Sequence, residues 1–463
     1  MRKVPDTLVI VLVILFLFAG LTWIIPSGEY ARKEMNGRMV VVPGSYQESE
    51  SAEQGIGAFL MAPIKGFVSA SQIIGFIFLV GGAFSIINRT GAINSGLERI
   101  INFSVNNPKY RTWIIPFLMV IFSLCGATFG MSEEVLVFIL ISIPLARSLG
   151  YDSITGVAIP FIGAGAGFAG AITNPFTIGI AQGIAELPPF SGIEYRIVVW
   201  AVLTLVAIIF VMIYANNVYH TPTFSPVYEL DMMREKEDHL KEGHTDLTPV
   251  RKLILGLLFF SIIFLVYGVQ AYDWYINEIA ALFIALGIVS AILAKLSLED
   301  AVSAFKEGAK DMITAALVVG LSKGVLIIAT EGKIIDTILF HVANAAEGFH
   351  PAVSVQVMFL VQSFINFFVP SGSGQAALTM PIMSPLSDLL GITRQTAVLA
   401  FQFGDGLSNM IIPTSGVTMG VLAIAKIPYD KWFKWMLPLF ILLTLTAMVL
   451  LIPPVVFFFW GPH

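Results

Sequence analysis

Phe401-Gln402-Phe403-Gly404-Asp405-Gly406-Leu407-Ser408-Asn409-Met410-Ile411-Ile412-Pro413-Thr414-Ser415-Gly416 sits inside an apolar run from Thr393 to Ala425. About 20 apolar residues cross a bilayer core, and this run is longer than that. Its middle is Ile412-Pro413-Thr414-Ser415-Gly416, where proline removes a donor and disrupts the helix. The reading is a helix that breaks at membrane depth. Non-helical backbone is tolerated there only where protein or a water-filled cavity satisfies it. Asp405 lies in the same run between two glycines, and an ionisable group in an apolar span is a functional candidate by default.

The same pattern occurs 241 residues earlier. The run Ile154–Ala185 carries the breaker Ala171-Ile172-Thr173-Asn174-Pro175. At this one offset, without gaps, Ser132 meets Ser373, Pro144 meets Pro385 and Gly150 meets Gly391. Gly163 and Gly165 meet Gly404 and Gly406, Thr173 and Thr177 meet Thr414 and Thr418, and Gly91 meets Gly332. Turn residues matched in one register mark an internal repeat. Two further apolar stretches, Thr112–Ala146 and Ala352–Ser387, are too long for one crossing and are interrupted by Gly, Ser or Pro. They read as re-entrant hairpins. Each repeat is then helix, helix, hairpin, broken helix, helix, with Leu253–Ala271 as an unpaired linker that inverts the second copy. Inverted repeats with discontinuous helices are the pattern of secondary transporters.

Composition agrees. Hydrophobic residues make up 56% and charged residues 12%, half the charge of a soluble chain. This excludes disorder, nucleic-acid binding and a secreted disulfide scaffold; the single cysteine, Cys125, reads as a packing residue. The fold class is an all-α polytopic membrane protein with two inverted repeats, two re-entrant hairpins, two broken helices and about nine crossing helices. The crossings are Thr7–Ile25, Val68–Ile87, Ile154–Ala185, Tyr195–Asn216, Leu253–Ala271, Ile279–Ala294, Asp311–Thr330, Thr393–Ala425 and Trp435–Phe459. Arg2 and Lys3 put the N-terminus in the cytoplasm, and the polar stretch His220–Lys252 falls on the same side. Lys333, Arg394 and Arg196 fall in outer loops; Arg32, Lys33 and Arg38 are exceptions to the charge rule.

The first hairpin tip is Gly126-Ala127-Thr128-Phe129-Gly130-Met131-Ser132-Glu133-Glu134, and the second is Pro370-Ser371-Gly372-Ser373-Gly374-Gln375. Ser132 and Ser373 would stand at the N-terminus of each returning helix, where positive partial charge and free N–H groups bind carboxylates. Plain N-capping is the competing reading. Two carboxylates, Glu133 and Glu134, are expensive near membrane depth unless used or neutralised. Freed carbonyls beside Thr173, Asn174, Thr414 and Ser415 suit a small cation or a substrate; a mere kink is the alternative. Substrate-binding candidates are therefore Ser132, Glu133, Glu134, Thr173, Asn174, Ser371, Gly372, Ser373, Gln375, Asp405, Asn409, Thr414 and Ser415. Coupling-ion candidates are Asp405, Asn174, Thr177 and Ser408. Lys323, in Gly320-Leu321-Ser322-Lys323-Gly324, contacts a substrate carboxylate or pairs with an acid. His220, His239 and His244 have no clean ligand spacing, so no metal site is expected, and no cofactor either. The chain carries no nucleotide motif and no nucleophile triad, which points away from an enzyme.

The stretch from Pro370 to Gly420, with Thr393-Arg394-Gln395-Thr396-Ala397 and Asn409-Met410-Ile411-Ile412-Pro413-Thr414-Ser415-Gly416, resembles the YfcC family. So do Gly130-Met131-Ser132-Glu133-Glu134 and Thr173-Asn174-Pro175-Phe176-Thr177 in the first half. That family is related to the anaerobic C4-dicarboxylate carriers of the ion-transporter superfamily. The resemblance implies a fold like the AbgT and citrate or dicarboxylate symporters. In those, a dimerising scaffold carries a transport domain that moves as a unit. On that pattern, residues 1–90, 191–310 and 431–463 are scaffold, the last two including the cytoplasmic loop, the linker helix and the final helix. Residues 91–190 and 311–430 are transport domain. The implied setting is a bacterial inner membrane, as a homodimer. Arginine–ornithine exchange is assigned to family members, and dicarboxylates or short fatty acids to relatives. An amino-acid exchanger and a Na⁺- or H⁺-coupled carboxylate symporter both stay open, with three acids against one buried lysine tilting toward the first.

Overall fold

Helix boundaries recur at the spacing found in the residues. The computed structural model describes residues 7–35, 38–42, 44–93, 95–96, 99, 108–239, 246–272, 274, 276–345 and 350–461. Arg2, Lys3, Lys241 and His244 lie outside them. Ile56–Ser69 and Ser71–Arg89 shift by 241 onto Leu298–Asp311 and Ile313–Glu331, within a residue or two. The first hairpin, Pro108–Phe129 and Val135–Ser148, shifts onto Pro351–Phe368 and the second part of Gly372–Leu389. The first broken helix runs over Ser153–Ala169, with a π turn at Ala158–Ile162, breaks, and resumes through a π turn at Pro175–Gly179 into Ile180–Ile184. Its counterpart is Arg394–Ser408 and Gly416–Ala425. Both breaks fall where Pro175 and Pro413 forbid a continuous ladder. The caps repeat too. Asp152 accepts from Thr155 N and Thr393 from Thr396 N at the helix starts, and Asn174 and Ser415 cap the segments after the breaks.

Among the described residues, six helices are long and apolar enough to cross a membrane, or seven if Leu298–Asp311 and Ala316–Glu331 form one bent span. Two of the six, Thr112–Phe129 and Pro351–Phe368, are hairpin arms outside the expected nine; of the nine, Thr7–Ile25 is the shorter helix Leu8–Leu21, and the broken helices supply the shorter pieces Ser153–Ala169 and Gly416–Ala425. Several elements were not expected. Ile56–Ser69 and Leu298–Asp311 are helices that the 241-residue offset relates to each other, and Tyr228–His239 is a helix inside the polar stretch. Arg196 is not in a loop. It is fully buried in the first turn of Ile193–His220, donates to Gln395 Oε1 at 3.1 Å and lies 5.2 Å from the Trp460 ring.

Packing crosses between the halves. Ile56–Ser69 runs along Ile313–Glu331, and Ser71–Arg89 along Leu298–Asp311. The first pair is so close that a methyl on Gly66 would strike the Gly320 carbonyl, the small-residue contact typical of membrane helices. Val135–Ser148 packs on Gly416–Ala425 of the other half, while Gly372–Leu389 packs on Ile180–Ile184. The halves are interlocked rather than juxtaposed.

Polar latches hold the periphery. Of two short antiparallel strand pairs, Gly28–Glu29 with Gln47–Glu48 lies on Ile334–Ala345, and Arg32–Met35 with Arg38–Val41 lies against Gly372–Leu389. Arg32 forks onto both Asp336 oxygens at 2.9 Å, which neutralises one exception to the charge rule. Burial, with Asp336 beside it, pushes the Tyr30 hydroxyl up to about 12. Asp152 accepts from Thr155, Tyr214 and Ser225, tying the first broken helix to Ile193–His220. Burial raises its carboxyl above the ordinary range, against those hydrogen bonds. Arg394 donates to Ala185 O at 2.9 Å, capping the end of the first broken helix. Arg234, from Tyr228–His239, donates to Ala425 O and Lys426 O at 2.7 Å, capping the end of the second.

Candidate functional site

A cavity of about 180 Å³ lies where the two hairpin tips, the two breaks and Ile313–Glu331 converge. The first tip contributes Ser132, Glu133 and Glu134, and the second Ser371, Gly372 and Ser373. Thr177 enters from the first break, and Asn409, Thr414 and Ser415 from the second. Val319, Ser322, Lys323 and Leu326 form one face of Ile313–Glu331 on the opposing wall. Eleven of the expected residues thus meet around one space.

The first tip turns at Gly130, whose φ of +76° falls in the left-handed region. A methyl there would also strike the Asn174 amide, so glycine lets the tip dock on the first break. Ile172 N and Thr173 N both donate to Ala127 O, at 2.8 and 3.0 Å, and Thr173 Oγ1 donates to Thr128 O. Glu134 is buried, and its Oε2 accepts from Ser132 N at 2.9 Å. That carboxylate therefore caps its own tip. Glu133 faces the cavity, and its carboxylate has no hydrogen bond or ion pair among the described residues.

The second tip is built differently. Ser371, not Ser373, is the N-cap; its Oγ accepts from Gly374 N at 3.3 Å. Ser373 sits in the first turn. Gly372 abuts Asp405 and Thr177: a Cβ there would lie 2.8 Å from Asp405 Oδ2 and closer still to the Thr177 methyl. Asp405 is fully buried. Its Oδ1 accepts from Asn409 Nδ2 at 2.9 Å, while Oδ2 has no partner. Thr177 Oγ1, Asn174 Nδ2 and Thr414 Oγ1 are likewise buried without partners. Such groups are costly to leave unmade, so each is a candidate ligand group.

Five expected residues do not line the cavity. Thr173 and Asn174 face the first tip, and Asp405 lies behind Gly372. Gln375 donates to Gln362 O and Oε1, at 2.8 and 2.7 Å. Ser408 donates to Gly404 O and accepts from Asn366 Nδ2 at 2.7 Å, which binds it into helix packing. The freed carbonyls of the second break are also taken. Thr418, Trp432 and Tyr429 donate to Asn409 O, Met410 O and Ile411 O. Ser322 was not expected, although it sits beside Lys323 in the quoted stretch. It lines the cavity with a buried, unpartnered hydroxyl.

Apolar helices, two interrupted elements per half and a charged cavity at their meeting point define a multi-pass membrane transporter. The chain belongs to the family described as DcuC, C4-dicarboxylate anaerobic carrier, which it matches over residues 4–456. Family membership makes it a transporter and not an enzyme. It is 38% identical over 470 residues to "Putative basic amino acid antiporter YfcC" of Escherichia coli (strain K12), covering 93% of this chain and 92% of that one. This bears out the YfcC resemblance. A protein of Haemophilus influenzae (strain ATCC 51907 / DSM 11121 / KW20 / Rd), named only "Uncharacterized protein", is 30% identical over 494 residues, covering 97% and 96%. Among solved structures, the Alcanivorax borkumensis YdaH transporter aligns at 15% identity and a TM-score of 0.42, covering 99% of this chain and 100% of that one.

Proposed function

We propose that this transporter exchanges basic amino acids, arginine- or ornithine-like, by secondary active transport. The observation that carries the reading is the charge of the cavity wall: Glu133 and Glu134 against a single Lys323. Glu133 is the open carboxylate for a guanidinium or ammonium group, with Glu134 behind it. The name of the Escherichia coli relative supports the same substrate class. The polar lining from Ser132, Ser371, Gly372, Ser373, Asn409, Thr414 and Ser415 completes the site. A second reading, a Na⁺- or H⁺-coupled carboxylate symporter, is favoured by Lys323 and by the family's name. In either reading the coupling ion belongs at Asp405 Oδ2 and Thr177 Oγ1, buried oxygens that lack partners, and Asn174 drops out because its Oδ1 already accepts from Phe176 N and its free Nδ2 is a donor. Ser408 drops out, because its hydroxyl is committed.

Movement would be of the elevator type, in a homodimer of the bacterial inner membrane with the N-terminus cytoplasmic. The two hairpins and two broken helices form the moving body. Ile313–Glu331, within the 311–430 segment, belongs instead with the scaffold. It packs backbone-close on Ile56–Ser69, and its repeat mate Ser71–Arg89 is a scaffold helix.

Counterflow in proteoliposomes tests the proposal. Vesicles preloaded with ornithine should accumulate labelled arginine, and vesicles preloaded with buffer should not. Accumulation of labelled succinate instead overturns the amino-acid reading. In the same vesicles, a disulfide joining V319C to G416C should stop exchange, because it ties Ile313–Glu331 to the broken helix. Full exchange after cross-linking excludes movement between them.

A further inference from the structure

We propose that Lys323 is the residue that reads the substrate's carboxylate, and so sets selection for amino acids over the amines they yield on decarboxylation. The inference rests on the cavity being the substrate site. Lys323 lines that cavity, and its ammonium group has no hydrogen bond or ion pair among the described residues. It is half-buried on a helix face that otherwise carries Val319, Leu326 and the hydroxyl of Ser322. A cation in such surroundings is costly unless a counter-charge reaches it. Glu133 and Glu134 line the same cavity, yet neither is bonded to Lys323. The lysine is therefore available, and the partner its chemistry calls for is an anion brought in from outside.

The competing carboxylate site, the N–H groups at the tips, is partly spent. At the first tip Ser132 N donates to Glu134. At the second, Ser371 N donates to Val369 O, Gly374 N to Ser371 Oγ and Gln375 N to Ser371 O. Ser322 Oγ, buried and unpartnered beside Lys323, supplies a second donor on the same wall. A ligand with a cation at one end and a carboxylate at the other would span from the Glu133 tip to the Lys323 helix. Those two charges sit on different packed elements, so both ends of the ligand are read at once. The repeat mate of Lys323 is Gly82, packed against Phe305, so the charge is no consequence of the repeat.

The test is ligand-induced thermal stabilisation of the purified, detergent-solubilised protein, which needs a fold and not transport. Arginine, agmatine (arginine without its carboxylate) and succinate are the probes. Wild type should require about tenfold more agmatine than arginine for the same rise in Tm. K323M should erase that difference by weakening arginine alone, and K323R should restore it in part. Equal potency of arginine and agmatine in wild type overturns the proposal without any variant. So does a K323M protein that keeps the full preference, since the carboxylate would then be read by the remaining tip N–H groups. If succinate alone stabilises wild type, the basic-amino-acid reading fails while Lys323 is still tested. K323M must then lose the succinate response, and an unchanged response overturns the proposal. No response to any probe overturns both.

Discussion

The two halves of the site share a scaffold and differ in where they keep charge. In the first half the carboxylates stand on the hairpin tip, as Glu133 and Glu134, and the broken helix behind carries Ala164. In the second half the tip is Ser371-Gly372-Ser373, and the acid is Asp405 on the broken helix, at the position that matches Ala164. Each tip is capped by its own side chain, Glu134 in one and Ser371 in the other. The repeat thus fixes caps, breaks and close approaches. The charged groups stand at the positions where the repeat fails. Inverted-repeat transporters place binding groups where their broken helices meet, and here the unequal halves give that meeting point a direction, acidic on one wall and cationic on the other.

Asp405→Asn should break the comparison most severely. The amide oxygen can still accept from Asn409, so the fold should survive with a Tm within a few degrees of wild type. Exchange should fall by about a hundredfold or more, because the unpartnered Oδ2 no longer carries charge. Unchanged counterflow would remove Asp405 from the transport machinery. Glu134→Gln should act less. The side chain keeps an acceptor for Ser132 N, so the cap persists and only charge is lost. Arginine should bind about tenfold more weakly, or about 1.4 kcal/mol, with succinate little affected. Ser371→Ala is the control from the other tip. It removes a cap worth about 1 kcal/mol and should lower Tm while weakening arginine and succinate alike.

Much of this was legible in the residues. Gly, Pro, Asn and Ser at Gly130, Asn174-Pro175, Ser371-Gly372 and Pro413 announce breaks because each removes a donor or frees the backbone. The 241-residue offset locates their mates. Hydropathy failed on Leu298–Asp311, where Glu299, Asp300, Lys306 and Lys310 mask an apolar face, and on Ile56–Ser69, interrupted by Pro63 and Lys65. The offset aligns those two helices with each other, so the repeat carried the missing signal. Within the site, residue type identified the polar groups but not the direction they face. Gln375 and Ser408 share a segment with cavity-lining neighbours and yet point into helix packing. Which face a helix residue takes depends on partners far away in sequence, such as Gln362 and Asn366.

The smallest expected effect separates the halves at their edges. Arg394 begins the second broken helix and caps the end of the first. The matching residue in the first half is Ser153, too short to reach a carbonyl at the end of the second. The molecule supplies that arginine from elsewhere. Arg234 donates to Ser153 Oγ at 3.1 Å and to Ala425 O and Lys426 O at 2.7 Å. A cationic donor at a helix C-terminus satisfies free carbonyls and opposes the dipole. Hydrogen bonds to charged groups are worth roughly 1.5–3 kcal/mol. Arg394 also pairs with Asp388 and Glu186, each about half exposed or more, and exposed pairs add at most about 1 kcal/mol. Arg234→Ala and Arg394→Ala should therefore destabilise by similar amounts, about 1–3 kcal/mol, read as a fall in Tm in detergent. If Arg394→Ala lowers Tm and Arg234→Ala does not, Tyr228–His239 merely rides on the fold. Equal losses make that helix the first half's substitute for a side chain the repeat did not keep.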